Sequence, residues 1–146
     1  MKTYTKSNNK YYNKPVSVDN IVFASKDESR RYKELKALEQ AGKIENLRLQ
    51  VPYEVIPKQV QRTPRYHKRT GKPIKDDVKV LEQNCIYVAD FVYFDKEKNT
   101  EIVEDVKGYR DSTAYQVFAI KRKLMLLIYG IKVQEINYQK KKSKKV

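Results

Sequence analysis

Apolar residues recur along this chain at two spacings, and the change from one to the other marks out its elements. Tyr32, Leu35, Leu38 and Ala41 fall at helical spacing and predict a helix from Ser25 to Gly42. Ser25-Lys26-Asp27-Glu28 has the form of a capping box at its start, and Gly42 suits the position just past its end. Leu47, Leu49, Val51, Tyr53 and Val55 then alternate with other residues, the pattern of a strand, and Pro52 confines part of that strand to a sheet edge. A basic loop follows over 57–83, where Pro57, Pro64, Gly71 and Pro73 rule out a continuous helix. Ile86 to Phe94 is a dense run of β-formers, Asp95 to Thr100 is polar and turn-like, and Glu101 to Lys107 resumes as a strand. Ala114, Val117, Phe118, Lys121, Leu124, Met125 and Ile128 trace one stripe of a helix from Thr113 to Tyr129, ended by Gly130. Ile131 to Ile136 closes the series as a short strand. The order is α-β-β-β-α-β, which predicts an α/β domain built on a sheet.

Charge changes this picture at the ends and in the loop. The chain has 146 residues, enough for one domain, and 32 Lys+Arg against 18 Asp+Glu give a net charge of +14. Lys2, Lys6, Lys10 and Lys14 stand in an acid-free N-terminal arm, 1–18, and Lys140, Lys141, Lys142, Lys144 and Lys145 in an acid-free C-terminal tail, 139–146. The domain proper is expected over 19–138. Within it Lys58, Arg62, Arg65, Lys68, Arg69, Lys72 and Lys75 crowd the basic loop, and the remainder is slightly acidic. Three basic segments with Tyr11, Tyr12 and Tyr66 among them fit phosphate neutralisation and base stacking on a nucleic acid. The plainer reading of the lysine runs is that they are solubilising tails.

Composition also narrows the chemistry. A lone Cys85 and a lone His67 leave no disulfide framework and no Cys- or His-based zinc cluster, so any metal is held by oxygen, which favours magnesium, manganese or calcium. No apolar run approaches the roughly 18–20 residues of a membrane span. The charged start has no apolar segment behind it, and a soluble protein of a reducing cytoplasm is expected, with no membrane partner and no organic cofactor.

The acids inside the strands are the candidate chemistry. Asp90 interrupts an apolar strand, where a carboxylate is costly unless paired or bound to a cation. A hairpin centred between Glu97 and Lys98 sets Asp90 directly opposite Asp105, on one face of the sheet, with Lys107 on that same face. Two carboxylates so close repel unless a cation lies between them. Asp90 and Asp105 can supply hard oxygen ligands to Mg²⁺, or Mn²⁺, and the backbone carbonyl of Val106 a third. Such a metal polarises a phosphate and acidifies a bound water, while Lys107 orients that water and offsets charge on the phosphorane.

Asp90 followed by Asp105-Val106-Lys107 resembles the PD-(D/E)xK pattern of the restriction-endonuclease-like nuclease superfamily, whose core has the same α-β-β-β-α-β order. Ser25 to Tyr32, Tyr87-Val88-Ala89-Asp90-Phe91 and Val103 to Gly108 resemble a small phage-encoded branch of it. Ala89 stands where the pattern has Pro, and Asp105 where Glu is common. The resemblance implies a central mixed sheet flanked by helices and a Mg²⁺-dependent DNA endonuclease acting in phage recombination, replication or packaging, inside the bacterial cytoplasm. It also implies that Glu28 completes the metal and catalytic set of Asp90, Asp105 and Lys107, and that Gln116 or Lys121 contacts DNA.

Small size and basic arms favour a structure-selective enzyme for branched DNA, a Holliday-junction resolvase, in which a symmetric homodimer would supply two sites. Lys58, Arg62, Arg65, Lys68, Arg69, Lys72, Lys140, Lys141 and Lys142 are the remaining DNA-binding candidates. Each reading has a plainer counterpart. Glu28 has a full explanation as the third residue of a capping box, Lys107 as one half of a structural ion pair, and His67 as a surface contact. Glu104 points away from Asp105 and is expected to be solvated or ion-paired. The alternative function is a non-catalytic nucleic-acid-binding accessory protein on a degenerate nuclease fold. A basic ribosome-associated protein ranks behind it, because it leaves the strand acids unexplained.

Overall fold

The computed structural model describes residues 14–108 and 110–138. Its elements are β1 (Val16–Val18), β2 (Ile21–Phe23), α1 (Lys26–Gln40), β3 (Ile44–Ile56), β4 (Gln59–Tyr66), β5 (Pro73–Glu82), β6 (Cys85–Asp95), β7 (Thr100–Val106), α2 (Thr113–Tyr129) and β8 (Gln134–Ile136). β3, β6, β7 and β8 form one sheet in that order. Its pairings are antiparallel except β7 with β8, which is parallel, so the fold is mixed α/β on a mixed sheet. Without the two-stranded hairpins the order reads α-β-β-β-α-β, as the hydrophobic pattern predicts.

The two helices cover opposite faces of the sheet. Tyr93 and Ile102 pack with Tyr32 and Leu35 of α1, whereas their strand neighbours Val92 and Val103 pack with Phe118 and Met125 of α2. Adjacent strand residues point to opposite faces, so the sheet is the middle of three layers. α1 begins at Ser25, whose Oγ accepts the Glu28 N–H at 3.2 Å. α2 ends at Gly130, whose φ of 66° is the left-handed turn that closes a helix. Pro52 is tolerated because β3 is an edge strand. No helix among the described residues is long and apolar enough to cross a membrane.

Three expectations need correction. The segment read as a basic loop is an antiparallel hairpin, β4 with β5, whose rungs include Val60↔Val80 and Arg62↔Val78. Its β-formers are spaced between charges and bury almost nothing, so the hydrophobic signal of a strand is faint there. Val16–Val18, assigned to the N-terminal arm, is β1, and Val18 packs on the α1 core. Its turn is Asp19-Asn20, with φ of 51° and 62°, a conformation those residue types tolerate and tight hairpins require. Finally, the buried stripe of α2 centres on Phe118 and Met125. Val117 and Ile128 lie exposed, and Lys121 is half-buried.

Candidate functional site

The hairpin of β6 and β7 has the expected register. Its rungs run from Asp95↔Thr100 to Phe91↔Glu104, which aligns Asp90 with Asp105 at the next step. There the ladder stops. Asp90 Oδ2 takes the Val106 N–H at 2.9 Å, so a carboxylate replaces the backbone rung and wedges the two strands apart. On the other side, the rungs Leu49↔Phe91 and Val51↔Ala89 flank Gln50, which has a φ of 52°. A left-handed non-glycine residue costs about 1–2 kcal/mol and persists only where its surroundings hold it. Here Gln50 Nε2 donates to Asp90 Oδ1 at 3.3 Å. The same point inverts the strand: Tyr87 and Ala89 pack towards α2, but Phe91 and Tyr93 towards α1.

Asp105 is 2% exposed. Its Oδ2 accepts the Tyr87 hydroxyl at 2.8 Å. Lys107 Nζ lies 2.6 Å from Oδ1, yet off the axis of a hydrogen bond, which leaves that buried oxygen without a well-directed donor. The same ammonium rests 4.3 Å from the centre of the Phe118 ring. Glu135, the β8 partner of Asp105, is fully engaged by contrast. It takes Arg122, Arg110 and the Tyr115 hydroxyl.

Four charged groups therefore act on one another. Burial raises the Asp90 carboxyl above its ordinary range; the Glu28 charge adds to this, and the Val106 N–H and Lys107 oppose it. Burial and then the Asp90 charge push Asp105 up to about 6, against the pull of Lys107 and Tyr87. Burial also raises Glu28, which feels both Asp105 and Lys107 while the Ala24 backbone holds it down. Glu28 thus serves two ends: its N–H completes the helix cap, and its carboxyl faces the acids of the sheet.

The other candidates lie elsewhere. Lys58, Arg62, Arg65, Lys68, Arg69 and Lys72 are all exposed on or beside the β4–β5 hairpin, and Gln116 is exposed on α2. Lys140, Lys141 and Lys142 lie outside the described residues. His67 is a turn-former: its Nδ1 accepts the N–H groups of Arg69 and Thr70, each at 3.3 Å.

Sequence reasoning missed the residues that hold the site, namely Gln50 and Tyr87 on the acids and Phe118 against Lys107. It placed Glu104 correctly on the opposite face and as ion-paired, but not as 1% exposed. Arg31 grips Glu104 with two hydrogen bonds, 2.8 and 2.6 Å, and the Tyr93 hydroxyl adds a third. The signal was an Arg on the first helix with Tyr93 and Glu104 on one face of neighbouring strands, at diagonal positions.

A family model described as "Protein of unknown function (DUF1064)" matches residues 8–144. The chain belongs to the DUF1064 family. Both helices, the sheet, the hairpin and every acid described above lie inside the matched segment of this DUF1064 chain. Neither the curated proteins nor the solved structures compared with it include a match.

The acids of the DUF1064 chain suit a hard cation in one respect and fall short in another. Asp105 Oδ1 is a buried acceptor without a well-directed donor, beside a second carboxylate that raises its proton affinity. Among the described residues, however, no three acidic, His or Cys side chains are already grouped as a metal cage. The donor set is therefore two strand carboxylates, to which Glu28 and the Val106 carbonyl would be added.

One pH effect follows for the metal-free protein. The Asp105 carboxyl holds its proton up to about 6, against an ordinary value of 3.8. At this group the folded chain binds more protons than the unfolded chain between those pH values, so Asp105 contributes a loss of stability as pH rises through that window, on the order of 2 kcal/mol. Asp105→Asn removes the titrating group. Urea midpoints at pH 4.5 and 7 should show a smaller fall in the variant than in the wild type; an equal fall would refute the assignment.

Proposed function

We propose that this protein is a metal-dependent DNA endonuclease with a restriction-endonuclease-like core. The observation that carries the reading is Asp90 and Asp105 aligned at the point where β6 and β7 part, with Lys107 against Asp105. The α-β-β-β-α-β order, the mixed sheet and the helices on both faces support the same core. Asp90 and Asp105 would hold Mg²⁺ or Mn²⁺, with Glu28 and the Val106 carbonyl completing the set. When bound, the metal supplies Lewis acidity towards a phosphate oxygen and lowers the pKa of a coordinated water.

The remaining work belongs to the chain itself. Gln50 and the Val106 N–H fix the Asp90 carboxylate, and Tyr87 fixes that of Asp105. Lys107, seated on Phe118, orients the attacking water and offsets charge gathering on the phosphorane. Hydrolysis then leaves a 5′-phosphate and a 3′-hydroxyl. The exposed cations of the hairpin draw in DNA, and their lack of a base-reading helix favours recognition by structure, as in a junction resolvase of a phage. A symmetric homodimer would give such an enzyme two sites.

A second reading, an accessory DNA-binding protein that has lost catalysis, draws on the short Lys107–Asp105 contact, which neutralises the acid without a metal. A cleavage screen over plasmid, four-way-junction and single-stranded DNA with Mg²⁺, Mn²⁺ or Ca²⁺ separates the two. The nuclease reading expects cutting with Mg²⁺ and Mn²⁺, strongest on the junction, and a loss of roughly 10²-fold or more in Lys107→Ala with binding retained. Metal-independent binding with no cutting of any substrate would establish the accessory protein instead.

A further inference from the structure

The β4–β5 hairpin forms a two-stranded sheet of its own, and every residue from 57 to 84 except Val60 is exposed. A lone two-stranded hairpin is marginal in water, and this one buries no face against the body. It is also strongly basic, with seven cations and no acid from Val55 to Lys75. Its tip is built. The His67 N–H donates to the Lys72 carbonyl and the Gly71 N–H to the His67 carbonyl, both at 2.9 Å, while the His67 imidazole accepts from Arg69 and Thr70. This turn presents Lys68, Arg69 and Lys72 beside Tyr66, which is 60% exposed.

The ribbon's position relates it to the acids. Its strands are continuous with β3 and β6, whose last rung is Ile56↔Cys85, at the N-terminal end of β6, and Asp90 lies midway along that strand. At about 3.3 Å per residue, β4 alone spans roughly 26 Å, and the tip lies up to roughly 55 Å along the strands from Asp90. That exceeds one turn of B-form DNA, about 34 Å. The major groove of B-DNA, about 12 Å wide, admits a two-stranded ribbon, whereas the groove of A-form RNA is too deep and narrow.

We propose that the β4–β5 ribbon lies in the major groove of duplex DNA, reaching up to about one and a half helical turns from the cleaved phosphate, with Lys68, Arg69 and Lys72 on the groove walls. The distance rests on reading Asp90 and Asp105 as the cutting site; the groove contact does not. The ribbon thereby sets a minimum duplex length for tight binding.

The test measures binding of the full chain to 8, 16 and 24 base-pair DNA duplexes and a 24 base-pair RNA duplex, by fluorescence anisotropy in Ca²⁺. The wild type should gain about tenfold or more in affinity between the shortest and longest DNA. Changing Lys68, Arg69 and Lys72 together to Gln should remove that gain and lower the slope of log affinity against log salt by about 3. These changes spare the His67 turn, and a charge-keeping variant, Lys68→Arg with Lys72→Arg, should bind as the wild type does. Wild-type affinity of the Gln variant for the 24 base-pair DNA would overturn the proposal, and so would an equal ribbon-dependent gain on RNA. Because the readout is binding, a ribbon-dependent length effect in a protein that never cuts would sink the nuclease reading and leave the ribbon standing.

Discussion

Asp105→Asn should lose Mg²⁺-dependent cleavage by roughly 10³-fold or more while still folding and binding DNA. The Asn carbonyl can still accept the Tyr87 hydroxyl, so the shape of the site is kept; what goes is the charge beside Asp90 and Lys107. A metal's stabilisation of the transition state amounts to several kcal/mol, and each 1.36 kcal/mol is tenfold in rate. Asp90→Asn should lose a similar factor. It also weakens the acceptor for the Val106 N–H and thereby loosens the point where β6 and β7 part. Plasmid-nicking rates, with band shifts in Ca²⁺ as the binding control, check both. Cleavage by Asp105→Asn within a few-fold of the wild type would remove this residue from the chemistry.

The second large effect concerns stability. Glu104 is buried on β7 and receives Arg31 of α1 and the Tyr93 hydroxyl. The Glu104 contact raises the Arg31 pKa above its already high value, so the guanidinium stays charged. Glu104→Ala leaves the guanidinium with Glu34, 3.0 Å away, as its carboxylate partner and the Tyr93 hydroxyl without its acceptor, and should cost about 3 kcal/mol. Arg31→Ala, which strands a buried carboxylate, should cost at least as much. The double variant Arg31→Met with Glu104→Leu should be more stable than either single change, because a buried ion pair adds little over good apolar packing. Urea denaturation of the three proteins measures this, and a double variant weaker than both singles would show that the pair adds more than mutual neutralisation. The pair also ties the helix carrying Glu28 to the strand carrying Asp105, so its loss should lower cleavage beyond the loss of folded protein.

How legible this was depends on what each residue's signal competes with. The alignment of Asp90 with Asp105 was readable because a short polar turn, Asp95 to Thr100, fixes the pairing of two strongly apolar strands. The two helices were readable from their caps, Ser25 and Gly130. The β4–β5 ribbon was not, because it buries no face and its cations interrupt the alternation that marks a strand. The Gln50 kink was invisible for another reason. Glutamine has no preference for positive φ, and the partner it meets there, Asp90, lies across the sheet and 40 residues away in sequence. The depth of Glu104 likewise depends on Arg31, 73 residues away in sequence. Local pattern located the acids, and long-range contacts decide what each of them does.

Asp90 and Asp105, the second with Lys107 against it, are proposed to hold one small cation in this basic chain. A titration of the metal-free protein with Mn²⁺, followed by the loss of the free-ion paramagnetic resonance signal, tests it most directly. The wild type should bind Mn²⁺ in competition with Mg²⁺, more tightly above pH 6 than below it, and Asp90→Asn and Asp105→Asn should each abolish that binding. Mn²⁺ binding that is absent from the wild type, or unchanged in both variants, would contradict the account.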